Sequence, residues 1–185
     1  MPSDRERWNA RHAAAAGQTL RPPDPFVVQV LDELGPGGGR SAIDLACGTG
    51  RHALALTELG WAVEAWDVSA EALAQLRERA RGRGLEIGTR VVDLAQLPPG
   101  TPGAQLVVVV NFLDRGLFAR LASLLAPGGS AVIATFTRDF PEPHPSPRFR
   151  LERGELTHDL PGLERLRAVE SGGRAGLWAR RREDW

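Results

Sequence analysis

The segment Gln105-Leu-Val-Val-Val-Val110 constrains the fold most strongly, because five apolar residues follow one another with no polar side chain to turn toward water. A strand of this composition is covered on both faces, as the central strands of parallel sheets are. Around it, strand and helix signals alternate. Starting at Asp24, FVVQVLDEL carries apolar residues at helical spacing, which predicts a helix of about ten residues ending at the glycine-rich break 35–39. A strand is predicted at 40–46. After Gly48 and Gly50, RHALALTEL reads as a helix closed by Gly60, and WAVEAWD supplies a second strand at 61–67. Ser69 is an N-cap for a helix over 70–80, with Glu71 in the first turn where the helix dipole favours an acid. Gly82 and Gly84 end it. A third strand follows at 85–92. Pro98-Pro99-Gly100 and Pro102-Gly103 exclude a long helix before the apolar strand at 105–110. A helix at 115–125, stopped by Pro127-Gly128-Gly129, leads to a fifth strand at 130–137.

Five alternations require right-handed crossovers, and therefore a parallel sheet between two helical layers: a doubly wound α/β architecture. Beyond 137 the pattern changes. A proline-rich stretch at 141–147 precedes two strands, 163–170 and 175–181, joined by Gly172-Gly173 and hence antiparallel. The expected fold is a mostly parallel seven-stranded sheet with helices on both faces and a C-terminal antiparallel strand. We expect one domain over 1–185: an N-terminal lid or flexible segment at 1–23, a ligand-binding core at 24–137, and a loop with the terminal strand pair at 138–185.

Bulk composition narrows the partners. Acidic and basic residues number 23 each and are scattered, so no electrostatic footprint for nucleic acid or an anionic membrane is visible. Every basic residue is Arg and none is Lys, a bias that fits a GC-rich genome. The single cysteine, Cys47, has no intramolecular disulfide partner, and no Cys/His cluster has zinc spacing, which fits a reducing, cytoplasmic setting. The longest apolar run, 106–110, is too short to span a bilayer. The expected partner is a small molecule, with no metal; the oligomeric state is left open.

An open parallel sheet binds its ligand beyond the carboxyl ends of its strands, where strand order reverses. The first strand ends there with Asp44-Leu-Ala-Cys-Gly-Thr-Gly50, a loop of small residues running into a helix N-terminus that presents unpaired amides to an anion. Gly48-Thr-Gly50-Arg-His-Ala53 also satisfies the dinucleotide pattern. Asp67, at the end of the second strand, is placed to accept both hydroxyls of an adenosine ribose, which both ligand classes need. Asp44 and Asp93 discriminate: Asp44 suits a cofactor with a free ammonium group, and Asp93, after the third strand, suits the adenine amino group. The terminal antiparallel pair points the same way.

IDLACGTGRHALALTELGWAVEAWDVSAEALAQL resembles the first half of a class I S-adenosylmethionine-dependent methyltransferase, nearest to the small bacterial group that includes tellurite-resistance methyltransferases. RERWNARH is similar to that group's Trp-x-x-Arg-Tyr opening, NFLDRGLFARLASLLAPGG to its segment after the fourth strand, and PRFRLERGEL to its stretch before the last two strands. The resemblance implies S-adenosylmethionine as cofactor. It implies Ala46, Gly48 and Gly50 around the methionine moiety, Asp67 at the ribose, Asp93 and Leu94 at the adenine and Asn111 at the mouth, with Cys47 and Val68 also among the cofactor-binding residues. Ala46 replaces the group's usual glycine, and His12 its usual tyrosine.

Methyl transfer from a sulfonium needs alignment and exclusion of water more than a base. No dedicated base is evident, which favours a soft or anionic acceptor such as a thiol or a chalcogen oxyanion. Arg115 and His12 are the candidate catalytic residues, Arg115 as a two-pronged holder of an anion or as one half of a structural ion pair. Asp114 and His144 also fall on the acceptor side, His144 as part of a stiff lid or as an exposed loop residue. His52 and Cys47 read as structural, and Trp8 with Arg11 as a lid over the cofactor or a frayed terminus. A nicotinamide-dependent oxidoreductase and a non-catalytic S-adenosylmethionine-binding protein are the rival functions.

Overall fold

The computed structural model describes residues 3–97 and 103–183. Most of the expected 98–103 break therefore lies outside the described residues. Seven strands form one sheet: β1 Ser41–Leu45, β2 Ala62–Asp67, β3 Gly88–Val91, β4 Ala104–Val110, β5 Leu125–Phe136, β6 Leu163–Ser171 and β7 Arg174–Arg181. Their order is β3-β2-β1-β4-β5-β7-β6, with β1 to β5 mutually parallel and β7 antiparallel to both neighbours. Strand order reverses between β1 and β4.

Among the described residues six α-helices accompany the sheet: α1 Asp4–Ala14, α2 Pro25–Leu34, α3 Arg51–Glu58, α4 Ala70–Gly82, α5 Arg115–Phe118 and α6 Leu121–Leu124. On one face Val27, Val30, Leu54, Leu73 and Leu76 of α2 to α4 join Leu106, Val108 and Val110; on the other Leu117, Leu121 and Leu124 join Val107 and Val109. The β4 valines thus divide between two cores, which is why their run has no polar alternation. Burial of this apolar area is the main stabilising contribution.

The helix boundaries follow local chemistry. Asp24 caps α2 by accepting from the Phe26 N–H at 3.0 Å, and Pro25 takes the first position, where a missing N–H costs nothing. Ser69 Oγ accepts from the Ala72 N–H at 3.1 Å to start α4.

The structure corrects two sequence expectations. The helix expected at 115–125 is two short helices, because Leu125 already pairs with Ala104 as the first residue of β5. The Pro127-Gly128-Gly129 segment is then absorbed as a register shift inside the strand, where a side chain on Gly129 would come within 2.8 Å of the Ala104 carbonyl. The third strand is shorter than 85–92, since Leu85 turns back onto the Ala80 carbonyl and leaves only Gly88–Val91 to pair with β2. The segment 1–23 contains helix α1, held by a capping box in which Ser3 and Glu6 satisfy each other's backbone N–H groups.

Candidate functional site

The tips of β1, β2 and β4 converge at the reversal of strand order. The turn leaving β1 takes three left-handed residues, Ala46 (φ 53°), Gly48 (φ 55°) and Gly50 (φ 90°). Asp44 lies beneath it, 1% exposed, with Oδ2 accepting from the Ala53 N–H at 3.0 Å. Burial raises its pKa to about 7. Asp67 ends β2. Its Oδ2 accepts from the Gly48 N–H and its Oδ1 from the Ser69 N–H, both at 2.8 Å. A carboxylate offers about four acceptor positions, so roughly two remain for a pair of hydroxyls.

The two loop glycines differ in kind. A side chain on Gly48 would meet only His12 Cε1, at 3.6 Å, so this residue faces a groove roofed by His12. A side chain on Gly50 would lie 2.1 Å from Leu76 Cδ1. Gly50 therefore also lets α3 pack closely on α4, besides turning the backbone through its left-handed φ.

Helix α1 forms that roof. Its Asn9 Oδ1 accepts from Ser69 Oγ at 2.8 Å, and Gln75 Nε2 donates to the His12 carbonyl at 2.9 Å. Trp8 and His12 stack with ring centroids 5.9 Å apart, and the Arg11 guanidinium lies 5.2 Å from the Trp8 centroid. Burial lowers the His12 pKa, with the Asp67 carboxylate pulling the other way.

The remaining expected positions divide. Val92 N–H donates to the Asp67 carbonyl at 2.9 Å, which sets the tip of β3 beside that of β2. Asp93 follows there, exposed, accepting from the Ala95 N–H and from Gln96 Nε2. Val68 is half-buried, while Leu94 and Cys47 are buried; burial pushes the Cys47 thiol up, leaving it a protonated, inert group. Asn111 ends β4 at φ 56°. Asp114 caps α5 by accepting from the Leu117 N–H, and His144 is exposed.

Arg115 does not reach the site as a free anion holder. It forms a two-pronged ion pair with Glu155, at 2.5 and 2.8 Å, that fastens α5 to the 155–157 turn. The guanidinium at the tip of β4 belongs instead to Arg174, whose Nη2 donates to Asn111 Oδ1 at 3.0 Å and to Asp24 Oδ2 at 2.6 Å. Sequence reading missed Arg174, Asp24 and Asn9, which join segments as much as 150 positions apart. His52 is buried, and its Nε2 accepts from the Asp24 N–H at 3.0 Å. Burial, reinforced by Arg51, takes its pKa down to about 3, so it is neutral.

A seven-stranded sheet of this order, with a glycine turn after β1 and an acid at the tip of β2, defines the Rossmann-like methyltransferase fold. Residues 42–129 match the family described as methyltransferase domain. A ubiquinone biosynthesis O-methyltransferase from Caulobacter sp. (strain K31) is 35% identical over 109 residues, covering 56% of this chain and 43% of that protein. The chain thus spans about half the length of the curated relatives it matches. Among solved structures, TehB from Haemophilus influenzae superposes with a TM-score of 0.72 at 23% identity, covering 95% of this chain and 67% of that one. A structure concerned with conversion of a disulfide bond into a thioacetal group in echinomycin biosynthesis superposes with a TM-score of 0.77 at 22% identity, covering 99% and 93%. Residues 42–129 thus carry a methyltransferase domain, on a fold shared with S-adenosylmethionine-dependent methyltransferases such as one from Aquifex aeolicus, at a TM-score of 0.67 and 20% identity. No helix among the described residues is long and apolar enough to cross a membrane.

Proposed function

We propose that this protein transfers the methyl group of S-adenosylmethionine to a small molecule that reaches the site as an anion, with a thiolate or a chalcogen oxyanion as members of that class. The reading is carried by Asp67, whose carboxylate closes the Gly48 turn and keeps acceptor positions for a ribose diol. Around the same groove, Asp44 is placed for the cofactor's ammonium group, Ala46, Cys47 and Gly48 for its methionine chain, Val68, Asp93 and Leu94 for its adenosine, and Asn111 for the mouth. When bound, the cofactor supplies an activated methyl: an acceptor lone pair closes on the carbon as the S–CH3 bond breaks and its electron pair stays on sulfur.

The chain's own contribution is alignment and exclusion of water, and helix α1 with His12 covers the groove for the second purpose. The side chains flanking the tip of β4 are already engaged: His52 Nε2 accepts a backbone N–H, and Asp24 is paired with Arg174. An acceptor that needs no proton removed suits these surroundings. The name of the Caulobacter relative favours oxygen as the methylated atom.

The test is turnover with methyl-labelled S-adenosylmethionine and a panel of phenolates, carboxylates, thiols, selenite and tellurite. We expect label in at least one anionic acceptor and none in neutral alcohols. Tight cofactor binding with no labelled product from the panel or from cell extract would establish a non-catalytic binding protein instead.

A further inference from the structure

Two guanidinium groups that meet the 22–24 segment, those of Arg51 and Arg174, are left over once the fold and the cofactor are accounted for. Arg174 opens β7 and crosses Phe136, its guanidinium 4.5 Å from the ring centroid, to reach Asp24 and Asn111 through Nη2. Its Nε and Nη1 make no hydrogen bond among the described residues. Arg51, the first residue of α3, is half-buried, donates only to the Pro22 carbonyl at 3.3 Å, and has no ion pair among the described residues. Burial and the neighbouring charge of Arg174 both push its pKa down, with Asp24 and Asp44 opposing them.

The charges do not cancel. Asp24 is matched by Arg174, His52 is neutral, and Asp44, its pKa raised by burial to about 7, is the acid assigned to the cofactor's ammonium group. A half-buried guanidinium without a carboxylate partner is costly, and an anion brought to it recovers that cost through charge-assisted hydrogen bonds. Arg174 lies beside Asn111, at the strand tip where a ligand of this fold sits, and Asp24, which it holds, comes two positions after the Pro22 that Arg51 touches. Asn111 is in turn held at positive φ, an unusual conformation for a residue with a side chain, while accepting from Arg174.

Resting on the methyltransferase reading, we infer that Arg51 and Arg174 form an anion subsite for the acceptor. The molecule methylated carries an anionic oxygen group, a carboxylate, phosphate or chalcogen oxyanion, which the two guanidinium groups grip beside Asn111. Planar guanidinium groups suit such a group because they donate in pairs at fixed angles.

The experiment is calorimetry on the full chain saturated with S-adenosylhomocysteine, titrated with benzoate, phenyl phosphate and selenite, and with benzamide as the neutral control. At least one anion is expected to bind and benzamide is not. Arg51→Gln and Arg174→Gln are each expected to weaken the anion tenfold or more, whereas Arg148→Gln, an exposed arginine elsewhere, has no effect. Because Arg174→Gln leaves the buried Asp24 carboxylate unpaired, the double variant Asp24→Asn/Arg174→Gln removes both charges and keeps the comparison valid if the single variant fails to fold. Anion affinities that are equal in wild type and variants, or a cofactor-loaded protein that takes none of the three anions, would overturn the subsite and leave the methyltransferase reading standing. Failure of wild type to bind S-adenosylhomocysteine would overturn both.

Discussion

Ala46 sits at φ 53°, a left-handed conformation that costs a residue with a Cβ about 1–2 kcal/mol and that glycine adopts freely. Strain of this kind persists only where neighbours fix it, and here the Cys47 N–H donates to the Trp66 carbonyl and the Gly50 N–H to the Cys47 carbonyl. Directly beneath, Asp44 stores a second strain, an acid taken out of water. Its pKa is about 7 in the fold and about 4 in an unfolded chain, so the folded state binds the proton more tightly. The stability this supplies is complete below about pH 4 and is lost as pH rises through 7. Asp44→Asn keeps an acceptor for the Ala53 N–H and does not titrate. We expect its unfolding free energy to gain on wild type by on the order of 2–4 kcal/mol between pH 4 and pH 8, measured by urea denaturation. Parallel pH profiles would contradict the assignment.

At the scale of elements, α1 is the loosest attachment. It buries no residue and is fastened to α4 by side-chain hydrogen bonds from Ser69 and Gln75, so it opens at low cost. A ligand lying under His12 makes opening harder. Tryptic cleavage after Arg5, Arg7 and Arg11 is expected to slow by about tenfold when S-adenosylhomocysteine is present well above its Kd. Equal cleavage rates with and without it would show that α1 is no roof. Residues 41–82 were legible in sequence because each of their boundaries is set locally: the glycine turn, the acid closing β2 and the Ser69 cap lie within a few positions of what they control. Helices α5 and α6 were not, since Leu117, Phe118, Leu121, Leu124 and Leu125 fit one helical stripe and the break at Ala119 and Arg120 carries neither Pro nor Gly. The Ser3–Glu6 capping box is an equally local pattern, three positions apart in the sequence.

Across the whole molecule, the parallel half of the sheet supplies the groove proposed for the cofactor and the antiparallel addition supplies Arg174. Register makes this possible: β7 pairs Arg174 with Phe136 at the end of β5, which delivers the guanidinium to the same edge as Asn111. No sequence pattern gives that juxtaposition, because strand register over such separations is fixed by the packing of both cores. Asp67 was legible and Arg174 was not, for this reason alone. What occupies the groove around Gly48 and Asp67 is measured directly by titration calorimetry with S-adenosylhomocysteine and with NAD, on wild type and Asp67→Ala. The account predicts one-to-one binding of S-adenosylhomocysteine, weakened by about 1.5–3 kcal/mol in Asp67→Ala, the range for hydrogen bonds to a charged group, and no binding of NAD. Binding of NAD, or an affinity for S-adenosylhomocysteine untouched by loss of the acid, would contradict it.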